Sequence, residues 1–160
     1  MIHINIICIG KVKEQFFKDS INEYSKRLSK YCALKIIELN DEKIPLKINS
    51  KIENIIKEKE CNNIISSLIK DSYIICLDLN GRQFSSEEFA THLNTLAIDN
   101  KSNITFIIGG TLGLNEKILN ISNEKISFSK MTFPHQLIRV FLLEQLFRSF
   151  KIINNETYHR

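Results

Sequence analysis

A chain of 160 residues suits one domain built on one sizeable core, and 43% hydrophobic with 25% charged residues fits a soluble, globular class rather than a disordered or fibrous one. The formal net charge of +4 is a mild basic excess, compatible with an RNA partner and equally with plain solubility. No stretch approaches the ~20 apolar residues of a membrane span, and the start lacks the small-residue cleavage site of a secretory signal.

Residues 2–9 are apolar nearly throughout and close on Gly10, a pattern that suits a strand covered on both faces, as in a parallel sheet. Phe16, Phe17, Ile21, Tyr24, Leu28 and Tyr31 then recur at steps of three and four, which predicts a helix. Its other side carries Lys18, Glu23, Lys26, Arg27 and Lys30, either a solvated face or a patch turned toward RNA. Residues 33–39 read as the second strand and 40–50 as a polar loop containing Pro45. A second helix follows on Ile52, Ile55, Ile56, Ile64, Ile65, Leu68 and Ile69, with Glu58, Lys59 and Glu60 expected to be exposed in its middle.

Residues 73–79 make the third strand, with a turn expected at Asn80-Gly81. Ser85 and Glu88 are spaced as a capping box, because each side chain can satisfy the other's free amide. The third helix carries Phe89, Leu93 and Leu96, and His92 is expected on its exposed side. The alternation of strand and helix, continued by residues 104–108, argues for a mostly parallel α/β sheet with helices on its faces, in a single domain over 1–160. Cys8, Cys32, Cys61 and Cys76 form no C-x-x-C pair, and are expected to be buried, inert thiols of a cytoplasmic protein.

The chemistry concentrates late in the chain. Gly109-Gly110-Thr111-Leu112-Gly113 follows a strand but is neither G-x-G-x-x-G nor a phosphate loop, so a dinucleotide or ATP site is disfavoured; a tight turn and a ligand loop both remain open. Residues 126–128 read as a further strand. The segment 128–135 then leads through Thr132 and Pro134 into a helix, and its backbone N–H and C=O groups suit a planar ligand such as adenine. That helix is apolar nearly all round, through Leu137, Val140, Phe141, Leu143, Phe147 and Phe150, which predicts the core on one side and a second copy of the chain on the other. His135 and Arg139 share one of its faces, and Arg139 in so apolar a helix needs a partner, for which an anionic ligand is the expectation. Glu144 and Arg148 are spaced as a structural pair, and the terminal Tyr158-His159-Arg160 alone would read as a frayed end.

Taken together, F-I-I-G-G-x-x-G, the run S-F-S-K-M-T-F-P-H-Q-L-x-R-V-x-L-x-E-Q-x-x-R-x-F and the terminal Y-H-R resemble the small SPOUT methyltransferases that modify a pseudouridine of large-subunit ribosomal RNA. The resemblance runs over the whole chain, including Val12-Lys13-Glu14. It implies an α/β fold with a C-terminal trefoil knot, which strand-order rules would exclude by default. It also implies a homodimer, S-adenosylmethionine as cofactor, no metal, and N3 methylation of a pseudouridine, with the assembled ribosome as the expected substrate.

Carried over by position, the cofactor contacts fall on Leu77, Gly109, Phe128, Ser129, Lys130, Met131, Thr132 and Phe133. The catalytic candidates are Tyr158 and His159, the latter as proton acceptor or base orienter, with Arg160 and Arg139 as phosphate or oxyanion partners. Two other readings stay open: a related SPOUT enzyme acting on tRNA, and a non-catalytic RNA-binding dimer that has kept the fold.

Overall fold

The computed structural model describes residues 1–158. In chain order the elements are β1 (Ile2–Ile9), α1 (Gln15–Leu28), β2 (Cys32–Leu39), α2 (Ser50–Ser67), β3 (Tyr73–Arg82), α3 (Ser86–Ile98), β4 (Asn103–Ile108), α4 (Glu116–Ile121), β5 (Glu124–Ile126) and α5 (His135–Ile153). The five strands form one sheet in the order β2-β1-β4-β3-β5, and every neighbouring pair is parallel. This is the α/β architecture that the alternating pattern predicts.

The period of two sorts the strand side chains onto two faces. Ile4, Ile6 and Cys8 of β1 point into a core with Phe89 and Leu93 of α3 and Leu142, Leu146 and Phe150 of α5. Ile7 and Ile9 point the other way, onto Cys61 and Ile64 of α2 and Ile118 of α4. Helices α1, α3 and α5 therefore cover one face, and α2 with α4 the other. Leu142, Leu143 and Leu146 have no exposure at all, and at about 1.5–3 kcal/mol for each such side chain their burial anchors α5 along its length.

Local signals set the element ends. The Ser85/Glu88 capping box is formed, with Glu88 N–H donating to Ser85 Oγ at 3.1 Å and Ser85 N–H to Glu88 Oε2 at 2.7 Å. Asn49 caps α2 by accepting from Ile52 N–H at 2.9 Å. Pro134 is the N-cap of α5, and the first helical residue is His135.

Several expectations are corrected. The third strand does not turn at Asn80-Gly81 but continues to Arg82, which pairs with Ile126 after a register shift. Gly81 permits this, because a Cβ there would lie 2.5 Å from the backbone carbon of Ile126. The strand expected at 126–128 runs earlier, as β5. Phe16 lies off the buried stripe and is 62% exposed. Glu60 is buried, because its Oε1 accepts from Glu42 N–H at 3.2 Å in the loop after β2. His92 is held against Glu124 at 2.7 Å and stacks on Phe84, so α3 is fastened to β5 rather than presenting that ring to solvent. The four cysteines are free and buried as expected. Burial pushes the thiols of Cys32 and Cys76 up to about 11 and that of Cys8 to about 12, which leaves them protonated and inert near neutral pH.

Candidate functional site

A cleft of about 900 Å³ opens beyond the C-terminal ends of β3, β4 and β5. This is where parallel α/β sheets place ligands, because strand ends diverge into loops there while the strands hold the loop bases rigidly. Leu77 and Ile108 line it from the strands, and Ile138 closes it from α5. Two loops complete the walls: residues 109–114 after β4 and residues 127–134 between β5 and α5.

The first loop is a tight turn. Gly113 N–H donates to the Gly110 carbonyl at 3.1 Å, and Gly113 has φ of +79°. A Cβ at Gly109 would stand 3.0 Å from the Gly113 carbonyl carbon and 3.1 Å from the Leu114 side chain, so a larger residue makes the turn shift by a few tenths of an ångström. Beneath it, a Cβ at Gly110 would meet Ile9 at 3.0 Å and Glu60 at 3.4 Å. Burial pushes the Glu60 carboxyl upward, opposed by the hydrogen bond from Glu42 N–H and aided by the charges of Asp41 and Glu42.

The second loop is braced by its own hydroxyls. Ser127 Oγ donates to the Ser129 carbonyl at 2.9 Å, Met131 N–H donates to Ser129 Oγ at 2.9 Å, and Ser127 N–H donates to the Arg82 carbonyl at 3.0 Å. The loop is thereby hung from the extended end of β3 and shaped before any ligand arrives. Met131 stands at its rim, 72% exposed.

Of the cofactor candidates, Leu77, Gly109, Phe128, Ser129, Met131, Thr132 and Phe133 line this one cleft, while Lys130 does not. They come from three separate segments, brought together by the parallel pairing of β3 with both β4 and β5. His135 closes the segment that the sequence marked for a planar ligand, whereas sequence reasoning did not place Asp78 and Ile138 in the wall; the signal available for Ile138 was its helical spacing from Pro134. Burial and the adjacent Arg139 both hold the His135 imidazole below its ordinary value, so it is neutral at pH 7.

Arg139 has partners other than the anticipated anion. It is 2% exposed and donates to Glu38 Oε2 at 2.6 Å, to the Ile9 carbonyl at 3.1 Å and to the Gly10 carbonyl at 2.5 Å. Glu38 was not foreseen, because it lies 101 residues away on β2. Tyr158 stands apart from the cleft. Its hydroxyl donates to Glu144 Oε1 at 2.6 Å, and the Arg148 guanidinium covers its ring at 3.9 Å. Arg148 also donates to Glu144 at 2.9 Å, as its spacing predicted. His159 and Arg160 lie outside the described residues.

The cleft fits a nucleoside-bearing methyl donor. Its size is within the usual range for small-molecule sites, its floor is apolar, and loop backbone with small hydroxyls lines its rim. Among the described residues, no group of three or more His, Cys, Asp or Glu side chains could hold a metal ion, and no helix is long and apolar enough to cross a membrane.

Comparison with known proteins agrees with this geometry. The family model described as "Predicted SPOUT methyltransferase" matches residues 2–159. The chain is 54% identical over 158 residues to the ribosomal RNA large subunit methyltransferase H of Clostridium novyi (strain NT), covering 99% of both chains. It is 52% identical over 158 residues to the protein of the same name from Clostridium acetobutylicum, again covering 99% of each. Two solved structures share the fold at low identity. A methylase family protein from Haemophilus influenzae Rd KW20 aligns at TM-score 0.56 and 13% identity, over 98% of this chain and 70% of that one. One from Neisseria gonorrhoeae aligns at TM-score 0.53 and 12% identity, over 98% and 86%. With the strand-end cleft and its two loops built on a five-stranded parallel sheet, the chain belongs to the SPOUT methyltransferase family.

Proposed function

We propose that this protein uses S-adenosylmethionine to methylate N3 of a pseudouridine in large-subunit ribosomal RNA, acting in the cytoplasm on the assembled ribosome as a homodimer. The observation that carries the reading is the cleft between the 109–114 turn and the 127–134 loop, on a chain alike from end to end to relatives named ribosomal RNA large subunit methyltransferase H. When bound, a sulfonium donor supplies an electrophilic methyl group and leaves as a neutral thioether.

The chain's own residues supply position. Leu77, Phe128 and Ile138 form apolar walls for a planar base, and the backbone of Gly109 and of residues 128–133 offers groups for its edge. Lys130 stands outside this wall and would meet the donor's polar end or the RNA. Methyl transfer to N3 forms the N–C bond while the S–C bond breaks, and the N3 proton must leave. His159 is the proposed acceptor or orienter of that proton, with Arg160 a partner for phosphate. Arg139 acts indirectly, by fixing the start of α5. The base must be accessible or flipped from its stack to reach the cleft.

Support for the homodimer is the half-covered apolar row Leu137, Val140 and Phe141 on α5, extended by Phe133 against Phe141 at 5.4 Å. The trefoil knot belongs to the same reading, as threading of the segment that follows β5.

The test is methyl transfer from labelled S-adenosylmethionine to intact ribosomes, isolated large subunits and free ribosomal RNA from cells lacking the modification. Product nucleosides are identified by mass spectrometry. Label in N3-methylpseudouridine, strongest with assembled ribosomes, is expected. No label on any of the three, with cofactor still bound, would move the assignment to the related tRNA enzyme, and absence of cofactor binding would leave a non-catalytic RNA-binding dimer.

A further inference from the structure

A second cavity, of about 690 Å³, lies at the opposite end of α5, between α1 and the chain that follows Ile153. Its walls interleave cations and aromatic rings. Lys26, Arg27 and Lys30 come from α1 and its end, Lys151 from α5, and Tyr31, Phe147 and Tyr158 supply the rings. Two carboxylates, Glu23 and Glu156, also face it.

The charges do not cancel. Arg27 pairs with Glu23 at 2.8 Å and Lys151 with Glu156 at 2.6 Å, both within the cavity walls. Among the described residues, Lys26 and Lys30 make no ion pair, and both are exposed. The Glu156 carboxyl is held below its ordinary value first by Lys151 and Tyr31, with Lys30 also acting on it. A net excess of two positive charges therefore lines a concave surface.

The rings are fixed rather than loose. Tyr31 stacks on Phe150 at 5.6 Å with an interplanar angle of 4°, and its hydroxyl donates to Glu156 at 2.7 Å. Phe147 packs between Tyr31 at 6.0 Å and Tyr158 at 5.9 Å. Cations ordered along a groove with rigid aromatic faces are what a nucleic-acid strand requires: the cations meet phosphates and the rings accept bases without reading sequence. From Ile138 at the cleft to Lys151 at this groove, α5 advances about 20 Å at 1.5 Å per residue. A single nucleoside cannot touch both ends, but a folded RNA can.

We propose that the groove formed by Lys26, Arg27, Lys30, Lys151, Tyr31 and Tyr158 docks the sugar-phosphate backbone of the RNA substrate, away from the methyl-transfer cleft. This inference rests on the RNA methyltransferase reading above. It assigns a function to the basic face of α1, which the cleft leaves unused. Charge complementarity selects the occupant: a polyanion gains from Lys26 and Lys30, which make no ion pair among the described residues.

The test compares the full-length protein with a Lys26→Gln/Lys30→Gln variant and a Lys26→Arg/Lys30→Arg variant. Both positions are exposed on or just after α1, so the fold should stand, which thermal unfolding confirms. For the Gln variant, the KM for ribosomal substrate should rise roughly tenfold at moderate salt, with kcat and the Kd for S-adenosylmethionine unchanged. The dependence of log KM on log salt should flatten by about 1.4–1.8, as expected for two lost phosphate contacts. The Arg variant should behave as the parent. An unchanged KM and salt slope in the Gln variant would overturn the proposal. So would a changed dimer mass in sedimentation with no change in RNA affinity, because the groove would then be an interface between copies.

Binding of a fluorescein-labelled single-stranded RNA oligonucleotide, read by anisotropy, separates the two claims. If the parent transfers no methyl group yet binds this RNA through Lys26 and Lys30, the enzymatic reading fails and the groove stands. If methyl transfer proceeds and the Gln variant binds the RNA as the parent does, the groove fails alone.

Discussion

Arg139 on α5 donates to Glu38 on β2 across 2.6 Å, and through the same guanidinium to the carbonyls of Ile9 and Gly10 at the end of β1. Glu38 Oε2 also accepts from Val12 N–H at 2.9 Å, and Gln136 Oε1 accepts from Lys13 N–H at 3.1 Å. The helix that leaves the candidate cofactor loop is thereby fastened to the edge of the sheet and to the β1–α1 connection.

Arg139→Ala should therefore destabilise by about 3 kcal/mol, because it opens a cavity and leaves two buried carbonyls without donors. Glu38→Gln keeps an acceptor for the guanidinium and should cost about 1 kcal/mol. Urea denaturation separates them. If Arg139→Ala keeps full stability and loses only activity, Arg139 contacts substrate directly and the positioning role is wrong.

Gly81 and Gly109 should fail in different ways. At Gly81 an added Cβ meets the backbone of Ile126 at 2.5–2.6 Å and of Lys125 at 2.7 Å, which forces β5 off β3, so Gly81→Ala should lose both stability and cofactor binding. At Gly109 the contacts of 3.0–3.1 Å include the flexible Leu114 side chain, so Gly109→Ala should fold. It should bind S-adenosylmethionine roughly tenfold more weakly by calorimetry, a loss on the order of 1.4 kcal/mol. Equal behaviour of the two variants would contradict this division.

The thiols should be silent. With all four buried and protonated, an aromatic disulfide reagent at pH 8 should titrate no cysteine in the native protein and four after denaturation. Rapid reaction of even one native thiol would mean that the sheet faces open locally.

Alkaline pH should unmask the tyrosines. Burial first, and then Glu144, pushes Tyr24 up to about 12, and Tyr31, Tyr73 and Tyr158 are also raised. A folded value above the unfolded one means that the native state holds the proton more tightly. The corresponding stability is complete below pH ~10 and is lost as pH rises through the folded value. Ultraviolet absorbance should show phenolate appearing late, together with unfolding. Tyr158→Phe should remove the Glu144 contact while leaving cofactor affinity intact, because Tyr158 stands apart from the cleft.

His135 gives the acid limb. Its folded value is lowered, chiefly by burial and then by Arg139, so near and below pH ~6.5 the unfolded chain takes up the proton first and native stability falls as pH drops. His135→Asn should flatten that limb in thermal unfolding between about pH 5 and 7. An unchanged limb would place the acid sensitivity elsewhere.

Local patterns in the chain were sufficient for its element types except α4, which the polar stretch after the glycine turn did not announce. An Ile-rich run that is apolar nearly throughout marks a strand covered on both faces, as at residues 2–9, and the Ser85/Glu88 spacing stated a helix start that formed as written. The long ordered motif from Phe128 onward was likewise enough to draw Leu77, Gly109 and Phe128 together by resemblance, and the fold brings them to one cleft.

What the chain's order could not express were relations between distant residues. Glu60, in a run of charges, reads as solvated; only the packing of α2 under the Gly110 turn buries it against Glu42. His92 reads as exposed until β5 docks beside α3 and brings Glu124 to it. Arg139 announces the need for a partner, but its identity as Glu38 follows from β2 lying beside β1 and from α5 crossing the ends of both. Periodicity records which side of an element is apolar, because that depends on the residue's own chemistry. The partner of a buried charge depends on which strands become neighbours, and that is decided only when the sheet assembles.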